Sequence, residues 1–310
     1  VGNIKLGLPV ISSPMDTVTE LEMASAMYTN GGLGIIHRYN SIEEQARQVE
    51  YAIKASGSYS WVGAAIGTSG DYMERALALR RAGVSAICVD VAHGHHALVR
   101  YAITSLKRTF GDSIHIMAGN VATAEAFDDL SDWGADSIRV GGGGGSCCTT
   151  RINTGHGIPT LQSIIDCASS DRGAKIIADG GIRTPGDIVK SIAAGADFVM
   201  LGSMLSGTHE SAGWENRVES ENGETVVPFR GMASAQAQKG WRGYVSSKEG
   251  VATAVSEKGP VRDVIASIES GLRSGISYTG AMNITEFQAK SVFLKQTNQG
   301  STEGKPHILM

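Results

Sequence analysis

The sequence predicts an α/β fold, a (β/α)8 TIM barrel whose mouth is covered by a C-terminal flap and hairpin. Short runs of β-branched residues recur eight times between residues 9 and 201, and segments with helical periodicity lie between them. Three of the helical segments end in a glycine just before a strand, at Gly83, Gly134 and Gly195, which is typical of a helix C-terminus. Alternating strands and helices favour a parallel sheet, and eight repeats favour a closed barrel over a doubly wound open sheet.

The strand candidates are short and apolar, as expected of strands buried on both faces of a parallel sheet. They are Pro9–Ser12, Gly34–Ile36, Trp61–Ala64, Ala86–Val89, Ile114–Met117, Ser137–Val140, Lys175–Ala178 and Phe198–Leu201. Helical periodicity is clearest at Glu20–Tyr28, Ile42–Ala55, Tyr72–Arg81, Ala97–Thr109 and Pro185–Ala193.

Polar residues and glycines follow every predicted strand. They are Ser13–Asp16, His37–Arg38, Gly67–Thr68, Asp90–Gly94, Gly119–Asn120, Gly141–Arg151, Asp179–Gly181 and Gly202–Ser203. In a barrel these loops form one rim, where catalytic groups are found, and the loops after strands seven and eight commonly hold phosphate. The pattern therefore predicts a polar ligand at the barrel mouth.

The loop after the sixth strand carries the most chemistry, because five glycines from Gly141 to Gly145 precede Ser146, Cys147 and Cys148. Glycine allows bare backbone to approach an anion or a cation and adopts positive φ angles. A thiol at the end of such a loop is a candidate nucleophile. The alternatives are a flexible linker, which usually has Gly/Ser repeats, and a dinucleotide fingerprint, whose third glycine falls on Ser146.

Composition limits the function classes. The chain has 310 residues, 42% hydrophobic and 19% charged, which is sufficient for a sizeable core. A net charge of -4 without a basic run argues against nucleic acid, and eight scattered histidines argue against structural zinc. Neither a membrane-spanning stretch nor a charged-then-apolar leader is found in this sequence. Four cysteines, two of them adjacent, favour a reducing, cytoplasmic location. The chain opens at Val1, so we expect the natural N-terminus to lie upstream.

The rhythm of strands and helices changes beyond Glu210. The residues Glu221–Glu224 predict a hairpin turn before Thr225–Arg230, and a mobile flap is predicted at about 231–250, with a solvated loop as the alternative. The last residues, 300–309, predict an extended tail. We predict one catalytic domain over residues 1–310.

Six motifs together resemble the IMP dehydrogenase and GMP reductase family of (β/α)8-barrel purine nucleotide oxidoreductases. They are Ser12–Glu20, Gly31–His37, Gly145–Arg151, Ala178–Arg183, Gly195–Gly202 and Arg230–Met232. The resemblance runs nearly end to end. The regulatory CBS domain that many dehydrogenases carry is absent, because Ala55 to Trp61 leads directly into the third strand.

The resemblance implies a role for specific positions. The nucleophile that attacks the purine C2 falls on Cys148, and Thr150 with Glu249 matches a pair that relays protons to a departing amino group. The implied nucleotide-binding residues are Ser13, Met15, Ser146, Asp179, Gly181, Gly202, Ser203, Gly231 and Met232. The implied cofactor-binding residues are Asp90, Ala92 and Asn120. Carbonyls of Gly143 and Gly145, with Cys148, resemble a potassium site, although Gly144 stands where the family usually has proline.

The resemblance leaves two reactions open. The dehydrogenase oxidises IMP to XMP with NAD and activates water through an adjacent Arg-Tyr pair on a long flap, whereas here Gly243 separates Arg242 from Tyr244. The reductase converts GMP to IMP and ammonia with NADPH. We favour GMP reductase, with IMP dehydrogenase as the alternative and a non-catalytic purine nucleotide-binding barrel as a third reading. The family also implies a homotetramer.

Overall fold

Eight parallel strands form a closed barrel, as the sequence predicts. The computed structural model describes residues 4–57, 60–306 and 308. The strands are β1 Val10–Ser12, β2 Leu33–Ile36, β3 Val62–Ile66, β4 Ala86–Asp90, β5 His115–Val121, β6 Ser137–Val140, β7 Lys175–Asp179 and β8 Phe198–Leu201. Each strand pairs with the next, and β1 pairs with β8. This closure excludes the open-sheet alternative.

Helices follow the strands and surround the barrel. They are α1 Leu21–Thr29, α2 Ile42–Ser56, α3 Tyr72–Arg81, α4 Ala97–Phe110, α5 Ala124–Asp132, α6 Thr150–Thr154, α7 Thr160–Cys167 and α8 Pro185–Ala193. The three glycines that end helical segments have φ angles of 92° at Gly83, 105° at Gly134 and 113° at Gly195. These left-handed conformations favour glycine and turn the chain directly into β4, β6 and β8.

The barrel interior is filled by a separate apolar cluster to which seven strands contribute. Its buried members are Ile11, Leu33, Ile35, Ala65, Cys88, Met117, Ile177 and Met200. A larger cluster lies between the strands and the surrounding helices. Strand β6 contributes no apolar side chain to the interior cluster and instead buries Arg139, which is only 6% exposed. A buried guanidinium requires partners, and these lie at the rim formed by the carboxyl ends of the strands.

The segment after β8 forms a small antiparallel sheet beside the barrel. Strands β9 Val218–Glu219 and β10 Thr225–Arg230 flank the predicted hairpin turn, and β11 Ala252–Ser256 pairs along β10. A 3-10 helix, Ala212–Asn216, precedes them. Helix α9, Ala235–Arg242, lies within the predicted flap. Ser234 caps it by accepting a hydrogen bond from the Ala237 amide, so this part of the flap is ordered rather than a loop.

Three further helices complete the described chain: α10 Val261–Tyr278, α11 Ile284–Lys290 and α12 Asn298–Glu303. Helix α10 lies directly against α8, because an ideal Cβ built on Gly271 would be 2.5 Å from Pro185. The predicted extended tail is wrong over residues 300–303, which belong to α12, and residues 307 and 309 lie outside the described residues. No helix among the described residues is long and apolar enough to cross a membrane.

Candidate active site

A partly buried ion-pair network joins four strands, β4 to β7, at the barrel mouth. Arg139 on β6 donates to Asp179 at the end of β7 through Nε at 3.0 Å and Nη2 at 2.8 Å. Its Nη1 donates to Asp90 at the end of β4 and, at 3.6 Å, to the Sγ of Cys88. Asn120 adds a hydrogen bond of 2.8 Å to Asp179. One guanidinium therefore holds both rim carboxylates.

Two residues of this network have unusual pKa values, for different reasons. Burial opposes the charged form of Arg139, but the carboxylates of Asp179 and Asp90 outweigh it and raise the Arg139 pKa well above its ordinary value. Burial raises the pKa of the Cys88 thiol to about 12. The sequence analysis missed Arg139, because a basic residue inside an apolar strand gives no motif. Its position did carry a signal: Arg139 lies in the middle of a predicted barrel strand, where a charged side chain is buried and needs partners of opposite charge.

Cys148, Thr150 and Glu249 form a continuous hydrogen-bonded chain. The Cys148 Sγ donates to the Thr150 Oγ1 at 3.2 Å, and this hydroxyl donates to the Glu249 Oε2 at 2.9 Å. The second carboxylate oxygen accepts from the Ser247 hydroxyl at 2.9 Å. The thiol is partly exposed, whereas its neighbour Cys147 is buried. The three residues predicted to be catalytic are thus brought together, with the thiol donating to the Thr150 hydroxyl and this hydroxyl donating to the carboxylate.

Backbone pairing brings the distant Glu249 to the cysteine loop. Cys148 and Gly250 form an antiparallel bridge. The amide of Thr149 donates to the Glu249 carbonyl at 2.9 Å, and the amide of Val251 donates to the Cys147 carbonyl at 2.9 Å. The end of the flap is therefore fixed to the nucleophile loop by main-chain hydrogen bonds, which do not depend on side-chain rotamers.

The glycine loop lies directly against the end of β7. Gly141 has a φ angle of 154°, and an ideal Cβ there would be 1.9 Å from the Asp179 carbonyl oxygen. Gly180, with a φ angle of 90°, would place a Cβ 3.0 Å from the amide nitrogen of Gly145. Only glycine permits this approach. It keeps the nucleophile loop beside Asp179.

The predicted nucleotide residues gather around this loop. Those after β1 and β8 meet, because an ideal Cβ on Gly202 would be 2.9 Å from the Sδ of Met15 and 3.8 Å from the Cβ of Ser13. Gly231 lies against the cysteine loop, where its Cβ would be 3.4 Å from that of Cys147. The other predicted residues lie on the same rim, on the loops after β6, β7 and β8 and at the start of the flap: Ser146, Gly181, Ser203 and Met232.

A cavity of about 340 Å³ opens beside the loops after β2, β3 and β4. Its lining residues are Arg38, Gly67, Thr68, Ser69, Asp71, Arg75, Val91, Ala92 and Trp241. Of the predicted cofactor residues, Ala92 lines this cavity, and Asp90 lies next to it with its Oδ2 at 3.9 Å from the Arg38 Nε. Asn120 instead contacts Asp179, so it lies between the predicted cofactor and nucleotide positions.

The potassium site at Gly143, Gly145 and Cys148 stays a prediction. Carbonyl oxygens are suitable ligands for potassium, but the Gly145 carbonyl accepts the Cys148 amide at 3.0 Å. Arg151 also donates to the adjacent Gly142 carbonyl at 3.1 Å and 2.9 Å. The loop thus already holds one cationic group. No step proposed below depends on an ion.

The separated Arg242 and Tyr244 meet in space. The Arg242 guanidinium lies 4.7 Å from the centroid of the Tyr244 ring. Arg242 also donates to the side chains of Gln238 and, at 2.5 Å, Ser246. The flap therefore brings an arginine and a tyrosine together, with the guanidinium already engaged by two neighbours.

Comparison with known proteins identifies the family. The IMP dehydrogenase / GMP reductase domain profile matches residues 1–307. Inosine-5'-monophosphate dehydrogenase of Nitrosopumilus maritimus is 32% identical over 444 aligned positions, covering 99% of this chain and 92% of that protein. GMP reductase of Leishmania major is 44% identical over 259 positions, covering 79% of this chain, and the chain spans only 52% of that relative.

A solved structure is similar over nearly the whole length of this chain. The crystal structure of a cysteine-to-alanine variant of GMP reductase from Trypanosoma brucei, in complex with guanosine 5'-monophosphate, has a TM-score of 0.91 and 30% identity. The match covers 98% of this chain and 91% of that one. The chain therefore belongs to the IMP dehydrogenase and GMP reductase family of purine nucleotide oxidoreductases.

Proposed function

We propose that this chain is a GMP reductase that converts GMP to IMP and ammonia with NADPH. The observation that carries the proposal is the hydrogen-bonded chain from the Cys148 thiol through Thr150 to Glu249, with links of 3.2 Å and 2.9 Å. Loss of an amino group requires a proton donor next to the nucleophile. A purely binding barrel needs neither the thiol nor the carboxylate.

In the proposed first step, the Cys148 Sγ attacks C2 of GMP. The thiol proton passes through the Thr150 hydroxyl to Glu249, and the same path returns a proton to the 2-amino group. That group then leaves as ammonia, and the new S–C2 bond completes a thioimidate. Forming a covalent intermediate divides one difficult displacement into two smaller barriers.

In the second step, C2 would receive a hydride, which the nicotinamide cofactor would supply when bound. The S–C2 bond would then break, releasing IMP and leaving Cys148 as a thiolate. The chain's own residues hold the reactants. Asp179 accepts the nucleotide ribose hydroxyls, where a carboxylate is a strong acceptor. Ser146, Gly181, Gly202 and Ser203 receive the phosphate, and Met15 and Met232 lie beside the purine. Asp90, Ala92 and Asn120 orient the cofactor.

Arg139 has a supporting role in this proposal. Its guanidinium pairs with Asp179 at 2.8 Å and also holds Asp90. Both carboxylates are thus held in place before ligands arrive, which reduces the reorganisation needed on binding.

The second candidate function is the NAD-dependent oxidation of IMP to XMP. One observation favours it, namely the contact of 4.7 Å between Arg242 and the Tyr244 ring, which brings together the two residue types of a water-activating pair. The reductase is preferred because the Arg242 guanidinium is bound to Gln238 and Ser246. It would have to leave both to reach a water molecule.

We also propose a homotetramer. Large apolar side chains are exposed from the last residue of α10 onwards, with Tyr278 90%, Met282 87% and Leu294 88% exposed. Exposed apolar side chains of this size are suited to subunit contacts, and the number of four subunits follows the family resemblance. Light scattering coupled to size-exclusion chromatography measures the mass of the assembly directly, and a mass of four chains is expected.

The test of function is absorbance at 340 nm. GMP with NADPH should lower it, with IMP and ammonia as products, whereas IMP with NAD should give no steady rise. Cys148→Ala should abolish turnover while retaining GMP binding. Steady XMP formation by the unaltered protein would establish the dehydrogenase instead, and turnover by Cys148→Ala would remove the covalent mechanism.

A further inference from the structure

Tyr39 contacts the flap at two points. It lies in the loop between β2 and α2. Its ring stacks on Trp241, with centroids 5.6 Å apart and planes inclined by 10°. Its hydroxyl donates to the Met232 carbonyl at 3.1 Å. Because Met232 precedes helix α9 and Trp241 lies in its last turn, one side chain from the barrel contacts both ends of the flap helix.

The barrel holds Tyr39 in place. Its amide donates to the Nδ1 of His37 at 3.1 Å, and the Arg38 guanidinium lies 5.4 Å from the centroid of its ring. Burial raises the pKa of the Tyr39 hydroxyl, with Arg38 opposing the shift. The hydroxyl is therefore protonated at neutral pH and remains a donor to the flap.

The two flap residues lead to different parts of the proposed site. Met232 accepts a hydrogen bond from the Asp16 amide at its Sδ, at 3.3 Å, and is proposed to lie beside the purine. Trp241 lines the cavity that also contains Ala92 and Arg38, on the proposed cofactor side. The two contacts of Tyr39 therefore differ in kind and in place. The hydroxyl contacts the residue on the proposed nucleotide side, and the ring contacts the residue on the proposed cofactor side.

We propose that Tyr39 is a positioning residue that fixes the flap over the barrel mouth, setting Met232 through its hydroxyl and Trp241 through its ring. The inference rests on the proposed function in taking these two places as the nucleotide and cofactor subsites. It adds a residue outside the six motifs and assigns each of its two contacts a separate effect.

Two variants distinguish the contacts. Tyr39→Phe removes only the hydroxyl, so the KM for GMP should rise about 3- to 10-fold, the range for one lost hydrogen bond, while the cofactor KM and kcat stay within about two-fold. Tyr39→Leu also removes the stack, so the cofactor KM should rise as well. Tyr51→Phe is the matched control, because Tyr51 lies on α2 with half its surface exposed and should leave both constants unchanged.

A binding measurement keeps the test independent of turnover. GMP titrated against the intact protein should change tryptophan emission, and Trp241→Phe should remove most of the change. Tyr39→Leu should reduce it, because the ring that links Trp241 to the barrel is lost. Equal rises of both KM values in Tyr39→Phe, or wild-type behaviour of both Tyr39 variants, would overturn the inference. Failure of the proposed function would instead appear as absent GMP reduction by the unaltered protein.

Discussion

Replacement of Glu249 by Gln is the sharpest test of the proton relay. The side chain keeps its size and one oxygen acceptor, so the hydrogen bonds of 2.9 Å with Thr150 and Ser247 can largely persist. What it loses is the ability to take and return a proton. General acid–base catalysis contributes about 10²- to 10⁴-fold, which corresponds to about 3–5 kcal/mol of activation free energy. Steady-state GMP reduction should fall by that factor.

The hydride step should survive, because no proton moves to a leaving amino group in it. At pH 9, where hydroxide in solution can take the thiol proton that Glu249 takes in the proposed first step, IMP mixed with oxidised cofactor should still give a rapid burst of absorbance at 340 nm, close to one equivalent per active site, in Glu249→Gln as in the unaltered protein. The melting temperature should change little, since a partly exposed hydrogen bond to a carboxylate contributes at most about 1 kcal/mol.

A matched control is Glu257→Gln, because the Glu257 carboxylate pairs with the partly exposed His209 at 2.7 Å and takes no part in the proposed relay. The reasoning fails if the steady-state rate of GMP reduction by Glu249→Gln is within about three-fold of the rate of the unaltered protein. It fails equally if burst and steady-state rates fall together, since that would indicate a structural role for the carboxylate.

Three further outcomes are expected. Cys148 should be the thiol that reacts rapidly with a disulfide reagent at pH 8 and is protected by GMP, because burial holds the Cys88 pKa at about 12. Burial lowers the pKa of His115 to about 4, below the unfolded value of about 6.5. Its contribution to stability is therefore complete above pH 6.5 and lost as the pH falls towards 4, by about 3 kcal/mol. Arg139→Met should cost at most about 3–5 kcal/mol in urea unfolding and raise the KM of both ligands, because two partly buried carboxylates lose their partner.

A different result would contradict each of these three expectations. Rapid labelling that persists in Cys148→Ala would assign the reactive thiol elsewhere. For the pH effect, His115→Gln should flatten the stability curve between pH 6.5 and 4, whereas the exposed His156→Gln should not, and an unchanged slope would exclude His115 as the source. If Arg139→Met altered the KM of one ligand only, the guanidinium would not be shared between the two carboxylates.

The strands were predictable because each depends on local sequence. A β-branched run followed by a polar residue or glycine defines β4 or β7 within a residue or two, and the glycines at the helix ends fix the connections. Closure of the sheet into a barrel was predictable from the number of strand and helix repeats, which is eight. The nucleophile loop was equally accessible, because Cys148 and Thr150 are two residues apart and Glu249 belongs to a recognisable pattern.

Features that depend on pairing distant residues were not predictable. Arg139 meets Asp90 and Asp179 across 49 and 40 positions of sequence, so its strand alone indicates only a buried segment. The flap reads as a polar loop in composition, yet α9 forms there because Ser234 caps it and Tyr39 stacks on its last turn. Strand β11 lacks the alternation of apolar and polar residues that would identify it from sequence. It forms because it pairs with β10.

The contact between Gly141 and the end of β7 limits how this site can change. Because no side chain fits between Gly141 and the Asp179 carbonyl, the segment bearing the nucleophile cannot shift without moving the segment bearing the ribose carboxylate. Across evolution the two segments should therefore vary as a pair. An engineer who wishes to move the thiol relative to the bound nucleotide would have to redesign the ends of β6 and β7 together.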